Sequence, residues 1–265
     1  MTDDEIRLAI RSAIETVAPE SDLQAIDPRR PLREQIDLDS LDWINFIAAL
    51  SERTCFRIPA SEHSRLSTID AIVAYLSQAG APAAAGADRE SARGADSLPH
   101  RQFVVNGTAV TVRPIRREDG ELEADFVRHL STEARYKRFM VTMQELPAAK
   151  LKYLTDVDQV RHVALVAVAQ REGRDALLGV VRYIVDASDA NCEFAIAIDD
   201  AWQGSGLAGI LMHALMDVAR ERGLKTMEGI VLTSNSRMLK FTRQLGFRGR
   251  HEPDEWDVVR VRRAL

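Results

Sequence analysis

Residues Ile196–Ala208 read I-A-I-D-D-A-W-Q-G-S-G-L-A, and their reading decides how the surrounding chain folds. Upstream, the alternation from Glu193 to Ile198 predicts a strand. Gly204 and Gly206 mark a turn, and Leu207, Ile210, Leu211, Ala214, Leu215 and Val218 follow at helical spacing. A strand, a glycine turn and a helix start therefore stand in immediate succession. Glycine has no Cβ, so main-chain N–H groups at such a turn can approach a ligand closely. The unpaired N–H groups of the first helical turn, with the helix dipole, favour an anion there, phosphate above all. Taken alone, the turn reads first as an ordinary strand-to-helix connection.

A second stretch downstream, beyond the strand predicted over Thr226–Leu232, changes that balance. Gln203-Gly204-Ser205-Gly206-Leu207-Ala208 is similar to the Q/R-x-x-G-x-G/A signature of the GNAT superfamily of N-acetyltransferases. Asn235-Ser236-Arg237-Met238-Leu239-Lys240-Phe241-Thr242-Arg243-Gln244-Leu245-Gly246-Phe247 resembles the same family's N-x-x-A-x-x-x-Y-x-x-x-G-F run. Val112–Arg116, Ser131–Tyr136 and Arg138–Met140 look like the catalytic domain of bacterial protein lysine acetyltransferases within it. The resemblance implies that residues 203–208 hold the pyrophosphate of acetyl-CoA or another acyl-CoA. It also implies that Ile196, Ile198 and Asn235 contact the donor. Asn235 has a second reading as a helix N-cap, and both can hold.

Acyl transfer to an amine needs a group that removes the amine's proton. Glu193 alternates with Ala195 and Ala197 on one face of its strand, while Phe194, Ile196 and Ile198 take the other. A carboxylate among small, apolar neighbours has its pKa raised by desolvation, which suits a base. By resemblance Glu193 is the general base; as a lone strand carboxylate it also reads as an edge charge. Many GNAT enzymes use a tyrosine to protonate the departing thiolate, and here Thr242 stands in its place. A threonine hydroxyl is a poor acid, so no general acid is assigned. Arg113, Arg116 and Arg117 read either as steering coenzyme phosphates or as solvated arginines. Cys192 points away from Glu193 and reads as core.

Ahead of this lies a unit of different character. Residues 1–80 hold 14 Asp and Glu against 8 Arg, while the chain beyond residue 100 is close to balance. Such asymmetry argues for two units with different partners. Ile6, Ala9, Ile10, Ala13, Ile14 and Val17 predict an amphipathic helix that Pro19 stops. Ser40 opens a second, with Leu41, Ile44, Phe46, Ile47 and Leu50. Ser67 or Thr68 opens a third, with Ile69, Ile72, Val73 and Leu76. Three helices in about 80 residues form a small bundle. Ser40 alone is an ordinary cap, but Ile36-Asp37-Leu38-Asp39-Ser40-Leu41-Asp42 resembles the D-S-L core of acyl and peptidyl carrier proteins. That resemblance implies 4′-phosphopantetheine on Ser40, placed by a phosphopantetheinyl transferase, and biosynthetic enzymes docking on the carrier. Trp43 and Asn45 depart from the family pattern and are read as altering which partners dock.

The expected architecture is two domains. An all-α carrier bundle spans 1–78, a flexible Ala/Gly/Pro/Ser linker spans 79–100, and an α/β GNAT fold with a mixed, mostly antiparallel sheet spans 101–265. Its strands are predicted at 108–115, 162–169, 176–185, 192–198, 226–232 and 256–261, and its helices at 121–130, 147–154, 207–222 and 238–245. A linker of that length has a root-mean-square span of about 25 Å.

Composition narrows the function classes. At 265 residues with 46% hydrophobic residues the chain can bury a real core. No apolar run reaches about 18 residues, and no apolar segment follows the acidic start, so neither a membrane helix nor a secretory signal is expected. Cys55 and Cys192 make no metal spacing and the six histidines no ligand pattern, so no metal is expected. Nothing is basic enough for a nucleic-acid face. A cytoplasmic acyltransferase is expected, acting on a protein lysine or small-molecule amine. Two alternatives stand beside it: transfer from or to the thiol on the chain's own carrier, with the linker raising effective concentration, and a non-catalytic acyl-CoA sensor or docking module.

Overall fold

The computed structural model describes residues 1–18, 21–36, 38, 40–54, 56, 58, 65–78, 98–139, 146–186, 188–252 and 255–265. The chain forms two compact units, Met1–Arg89 with Asp186–Asp189, and Glu90–Val185 with Ala190–Leu265. The 79–97 part of the expected linker, and Cys55, lie outside the described residues.

In the first unit, α1 (Asp3–Val17) starts with a reciprocal cap. The Thr2 hydroxyl accepts from the Glu5 N–H, and the Glu5 carboxylate accepts from the Thr2 N–H. Its buried residues are the six predicted ones, Ile6 through Val17. Helix α2 (Ser40–Thr54) buries Trp43, Phe46, Ile47 and Leu50. Helix α3 (Ile69–Gln78) is opened by Thr68, whose hydroxyl accepts from the Ala71 N–H, and buries Ile72, Val73 and Leu76. These faces close one core with Leu32, Ile58 and Leu66. Trp43 corrects its expectation: its ring is 4% exposed, 5.2 Å from the Phe46 ring and capped by the Arg33 guanidinium. It serves the core, because an indole buried to that degree has no face left for a partner.

The second unit is an eight-stranded sheet in the order β1-β2-β3-β4-β5-β6-β8-β7. The strands are β1 (Arg101–Val105), β2 (Thr108–Pro114), β3 (His162–Arg171), β4 (Arg174–Val185), β5 (Asn191–Ile198), β6 (Thr226–Leu232), β7 (Arg248–Glu252) and β8 (Glu255–Ala264). Every neighbouring pair is antiparallel except β5 and β6. Helices α4 (Gly120–His129), α5 (Thr132–Phe139) and α6 (Ala148–Thr155) pack on one face, through Phe126, Val127, Phe139 and Leu154. Helices α7 (Leu207–Glu221) and α8 (Ser236–Gln244) pack on the other, where Leu211, Leu215 and Val218 of α7 meet Val181, Tyr183 and Phe194.

Three elements were absent from the sequence reading. Strand β1 is largely exposed, so apolar alternation could not reveal it. Its signal is the turn: Asn106 and Gly107 both have positive φ, 50° and 78°, as a two-residue hairpin requires. Strand β7 reads Arg-Gly-Arg-His-Glu and lacks an apolar face. Helix α5 is polar and buries Phe139 alone.

The parallel pairing of β5 and β6 is short. It joins Asn191 to Thr226, Cys192 to Met227 and Glu193 to Glu228, and there it stops, although both strands run on. The next residue, Phe194, lays its ring over Gly229. A Cβ at Gly229 would sit 2.7 Å from a Phe194 ring carbon. The ring also packs 5.2 Å from that of Phe247. Phe194 fills the α7 side of the sheet where the strands part, and residues 194–198 keep an edge without a strand partner among the described residues.

Candidate active site

The glycine turn lies at the far end of this opening. β5 ends at Ile198, a short 3-10 turn spans Asp200–Trp202, and α7 begins at Leu207. Gly204 and Gly206 have φ of 82° and 90°, a left-handed conformation that side-chain-bearing residues rarely adopt. The turn is held from within. The Ser205 hydroxyl donates to the Trp202 carbonyl at 2.6 Å and the Ser205 N–H to the same oxygen at 3.3 Å. The Leu207 N–H donates to Ser205 Oγ at 3.3 Å. No acceptor among the described residues takes the N–H groups of Gly204, Gly206, Ala208 or Gly209. Gly206, the N-cap, supplies no side chain to satisfy them. Four donors at a helix start, uncapped and beside two glycines, can hold the oxygens of a pyrophosphate.

Gln203 has a supporting role in this geometry. Its amide nitrogen donates to Asp200 Oδ1 at 3.0 Å, and its amide oxygen accepts from Arg237 at 2.6 Å. Arg237 is thereby held near the turn, its guanidinium nitrogen 3.5 Å from where a Gly204 Cβ would stand. This exposed cation was missed at the sequence level, since its partner lies 34 residues away on another element. Asp200 also accepts from the N–H and hydroxyl of Ser131, which ties the α4–α5 connection to the turn.

Glu193 occupies the last paired position before the strands part and is 5% exposed. It faces the α4–α6 side, with Ala195 and Ala197, while Cys192, Phe194, Ile196 and Ile198 join the α7 core. Arg260 on β8 lies 3.9 Å from Glu193 and 3.3 Å from Glu228. Glu193 is thus ion-paired at the point where the strands part, and not left among small apolar neighbours alone. Arg260 is the second residue that sequence reasoning missed.

The same face carries buried charge deeper in. Arg182, 1% exposed, donates to Glu123 of α4 at 3.1 Å and to the Leu154 carbonyl at 3.0 Å, and lies 3.4 Å from His162 Nε2. Burial pushes the Glu123 carboxyl up, against the pull of Arg182 and Arg138. Burial holds His162 well below its ordinary range, and the same two arginines lower it further.

The remaining predicted residues divide clearly. Asn235 caps α8, its Oδ1 accepting from the Met238 N–H at 3.1 Å. Thr242 is 0% exposed and its hydroxyl donates to the Leu239 carbonyl of its own helix at 3.2 Å. Arg113 is corrected: it is buried in a two-pronged pair with Asp119, at 2.6 and 2.7 Å, and is not open to a phosphate. Burial alone would raise the Asp119 carboxyl, but the Arg113 contacts and the Arg116 N–H hold it below its usual value. Ser40 is the first residue of α2, and its side chain lies outside the described residues.

Comparison with known proteins identifies the family of each unit. Residues 124–247 match the acetyltransferase (GNAT) family, and residues 9–76 match the phosphopantetheine attachment site family. An acetyltransferase of Pseudomonas aeruginosa is 36% identical over 160 residues, which are 60% of this chain and 86% of that one. The acyl carrier protein of Streptomyces coelicolor is 30% identical over 83 residues, 31% of this chain and 86% of that one. The crystal structure of the GNAT domain of S. lividans PAT superposes with a TM-score of 0.57 at 30% identity, covering 63% of this chain and 97% of that one. The chain belongs to the GNAT family of acetyltransferases, with a carrier-protein unit of the phosphopantetheine-binding kind in the same polypeptide.

Proposed function

We propose that the second unit transfers an acetyl group from acetyl-CoA to an amine, with Glu193 as general base. One observation carries the reading. β5 and β6 part directly after Glu193, and the edge so opened runs from that carboxylate toward the uncapped N–H groups at the start of α7. In this reading the N–H groups of Gly204, Gly206, Ala208 and Gly209 hold the pyrophosphate, with Ser205 and Leu207 shaping the turn and Arg237, steadied by Gln203, adding positive charge. The pantetheine lies along the unpartnered edge of β5 at Ile196 and Ile198, near Asn235. The thioester carbonyl then lies close to Glu193.

Glu193 removes a proton from the incoming ammonium, directly or through water. The free amine attacks the thioester carbonyl, the amide bond forms, and the C–S bond breaks. Thr242 gives no proton to the leaving thiolate, its hydroxyl being spent within α8. With a thiol pKa of about 8.5 the thiolate departs unaided and is protonated from solvent.

Ser40, at the N-terminus of α2, is proposed to carry 4′-phosphopantetheine. The helix start favours the phosphodiester, and the carrier-protein likeness supports the assignment. That group supplies a thiol on a swinging arm, able to hold an acyl group as a thioester. The acceptor is a protein lysine or a small-molecule amine. In a second reading, favoured by the carrier likeness, the acyl group comes from the Ser40 thioester.

Thiol release from acetyl-CoA in the presence of amine tests the enzyme. Glu193→Gln should lower the rate by about 10²–10⁴-fold, while Cys192→Ala, one residue away on the opposite face, should stay within about twofold. Equal rates for wild type and Glu193→Gln would remove the base from the mechanism. A mass increase after treatment with a phosphopantetheinyl transferase, lost in Ser40→Ala, tests the carrier. Single-turnover transfer from acylated holo-protein without free CoA separates the two donors.

A further inference from the structure

The sheet face that bears Glu193 does not end at β5. Register sets Glu228 beside Glu193, Arg262 beside Glu228, and Arg248 beside Arg262. One step along, Arg260 lies beside Ile230, and Arg250 beside Arg260. Residues two apart on a strand share a face, so Arg248, Arg250, Arg260 and Arg262 all project from the Glu193 side. Arg260 is turned inward to Glu228 and Glu193. Arg248, Arg250 and Arg262 are exposed and form no ion pair among the described residues. Like charges directly opposite on neighbouring strands repel. Two such pairs stand here: the charge of Arg260 opposite Arg250 is offset by Glu228 and Glu193, while Arg248 and Arg262 form no ion pair among the described residues, so an anion lying across them would relieve their repulsion.

We propose that this arginine face docks the acceptor, and that the acceptor is a lysine in an acidic stretch of polypeptide. The inference rests on the transferase reading of Glu193 and names its substrate class. Dimensions favour a polypeptide over a small amine. Strands lie about 4.8 Å apart, so Arg248 stands about 14 Å from Glu193 across the sheet. A lysine side chain spans about 6 Å and an extended chain about 3.4 Å per residue. Carboxylates about two to four residues from the lysine therefore reach the arginines while its amine reaches Glu193. Nucleic acid fits less well: the arginines share their face with Glu193 and Glu228, and the chain carries a net charge of −5.

The test uses the full chain, acetyl-CoA and two lysine peptides, identical except for Glu or Gln at two to four residues from the lysine. The acidic peptide should have a kcat/KM about tenfold higher at low salt, carried by KM, as expected of a few exposed ion pairs. The preference should shrink in 0.5 M salt, where the Debye length falls to about 4 Å. In Arg248→Gln/Arg250→Gln/Arg262→Gln the ratio between the peptides should fall to about one. These side chains are exposed, and a thermal melt checks the fold. Equal wild-type values for the two peptides, or a preference that survives the triple substitution, would overturn the proposal. Direct binding of labelled peptides separates this from failure of the transferase reading. Tighter binding of the acidic peptide, lost in the triple variant, would uphold the docking face even if no peptide were acetylated. Single-stranded RNA of equal charge should compete no better than the peptide does; tighter binding of RNA at the same arginines would reassign the face and sink the proposal.

Discussion

Along β5, Cys192 and Phe194 enter an apolar core beneath α7, while Glu193 between them faces the side covered by α4, α5 and α6. β4 repeats the division: Val181 and Tyr183 go one way, Arg182 the other. On the α7 side the buried polar group of β4 is the Tyr183 hydroxyl, which meets Arg222 at 3.2 Å; burial lifts its pKa to about 12. On the other side lie Arg182, Glu123, His162 and Glu193, all buried. Both faces supply apolar cohesion, and the Glu193 face adds buried charge next to the point where the strands open. Buried charge contributes little net stability, because desolvation offsets the attraction. Among the described residues of this unit the buried charges named here lie on the Glu193 side, which suits the amine chemistry proposed above.

The largest effect that would sharpen this contrast comes from removing one member of the buried pair. Arg182→Met should cost about 3–5 kcal/mol, because Glu123 is left buried without its cation. Adding Glu123→Leu to it should recover most of that loss, measured by urea or thermal unfolding. On the α7 face, Leu211→Ala should cost about 2–5 kcal/mol, and no polar substitution elsewhere should recover it. If the double variant is no more stable than Arg182→Met alone, the pair is not acting as a unit and the contrast between the faces is weaker than drawn.

The apolar framework of this comparison was legible in the sequence, and of its buried charges only Glu193 was. The Cys192–Ile198 alternation, the glycine turn and the α7 stripe are local patterns that a strand and a helix impose on their own neighbours. Gln203 and Asn235 were singled out differently, through the resemblance of two short runs to family motifs. Arg260 and Arg237 could be found by neither route. They meet Glu193 and Gln203 only through strand order and helix packing, 67 and 34 residues apart in sequence. Arg113 shows the converse. Its charge suggested a phosphate, and only the fold reveals Asp119 waiting beside it. Exposed elements such as β1 and β7 escaped because apolar periodicity has nothing to report where neither face is buried.

A middle-sized effect concerns pH. His162 is buried and its pKa is depressed relative to the unfolded chain, so the folded state binds fewer protons than the unfolded one near and below pH 6.5. The stability this residue contributes is present above the unfolded pKa and is lost as pH falls toward the folded one. The loss approaches about 1.4 kcal/mol per pH unit. Glu123 has the opposite sign: its raised pKa gives stability that is present at low pH and is lost as pH rises through the folded value. Between pH 6.5 and 5 the two contributions oppose, and His162→Gln, which removes the destabilising one, should make the unfolding free energy fall less, or rise more, as pH drops. A slope unchanged by His162→Gln would assign the acid sensitivity to other groups.

The smallest effect falls on the apolar side, at the position where relatives of this fold often carry a tyrosine. Thr242 is fully buried, and its hydroxyl already serves the Leu239 carbonyl. Thr242→Val keeps the shape of the side chain and removes one helix back-bond, which costs at most about 1 kcal/mol of stability. Turnover with acetyl-CoA should stay within about twofold and the alkaline limb of the pH–rate profile should not move. A general acid would behave differently, since its loss typically costs 10²–10⁴-fold. A drop of that size in Thr242→Val would mean that α8 rearranges to bring the hydroxyl to the leaving thiolate. The proposed confinement of the chemistry to the Glu193 face would then fail at that helix.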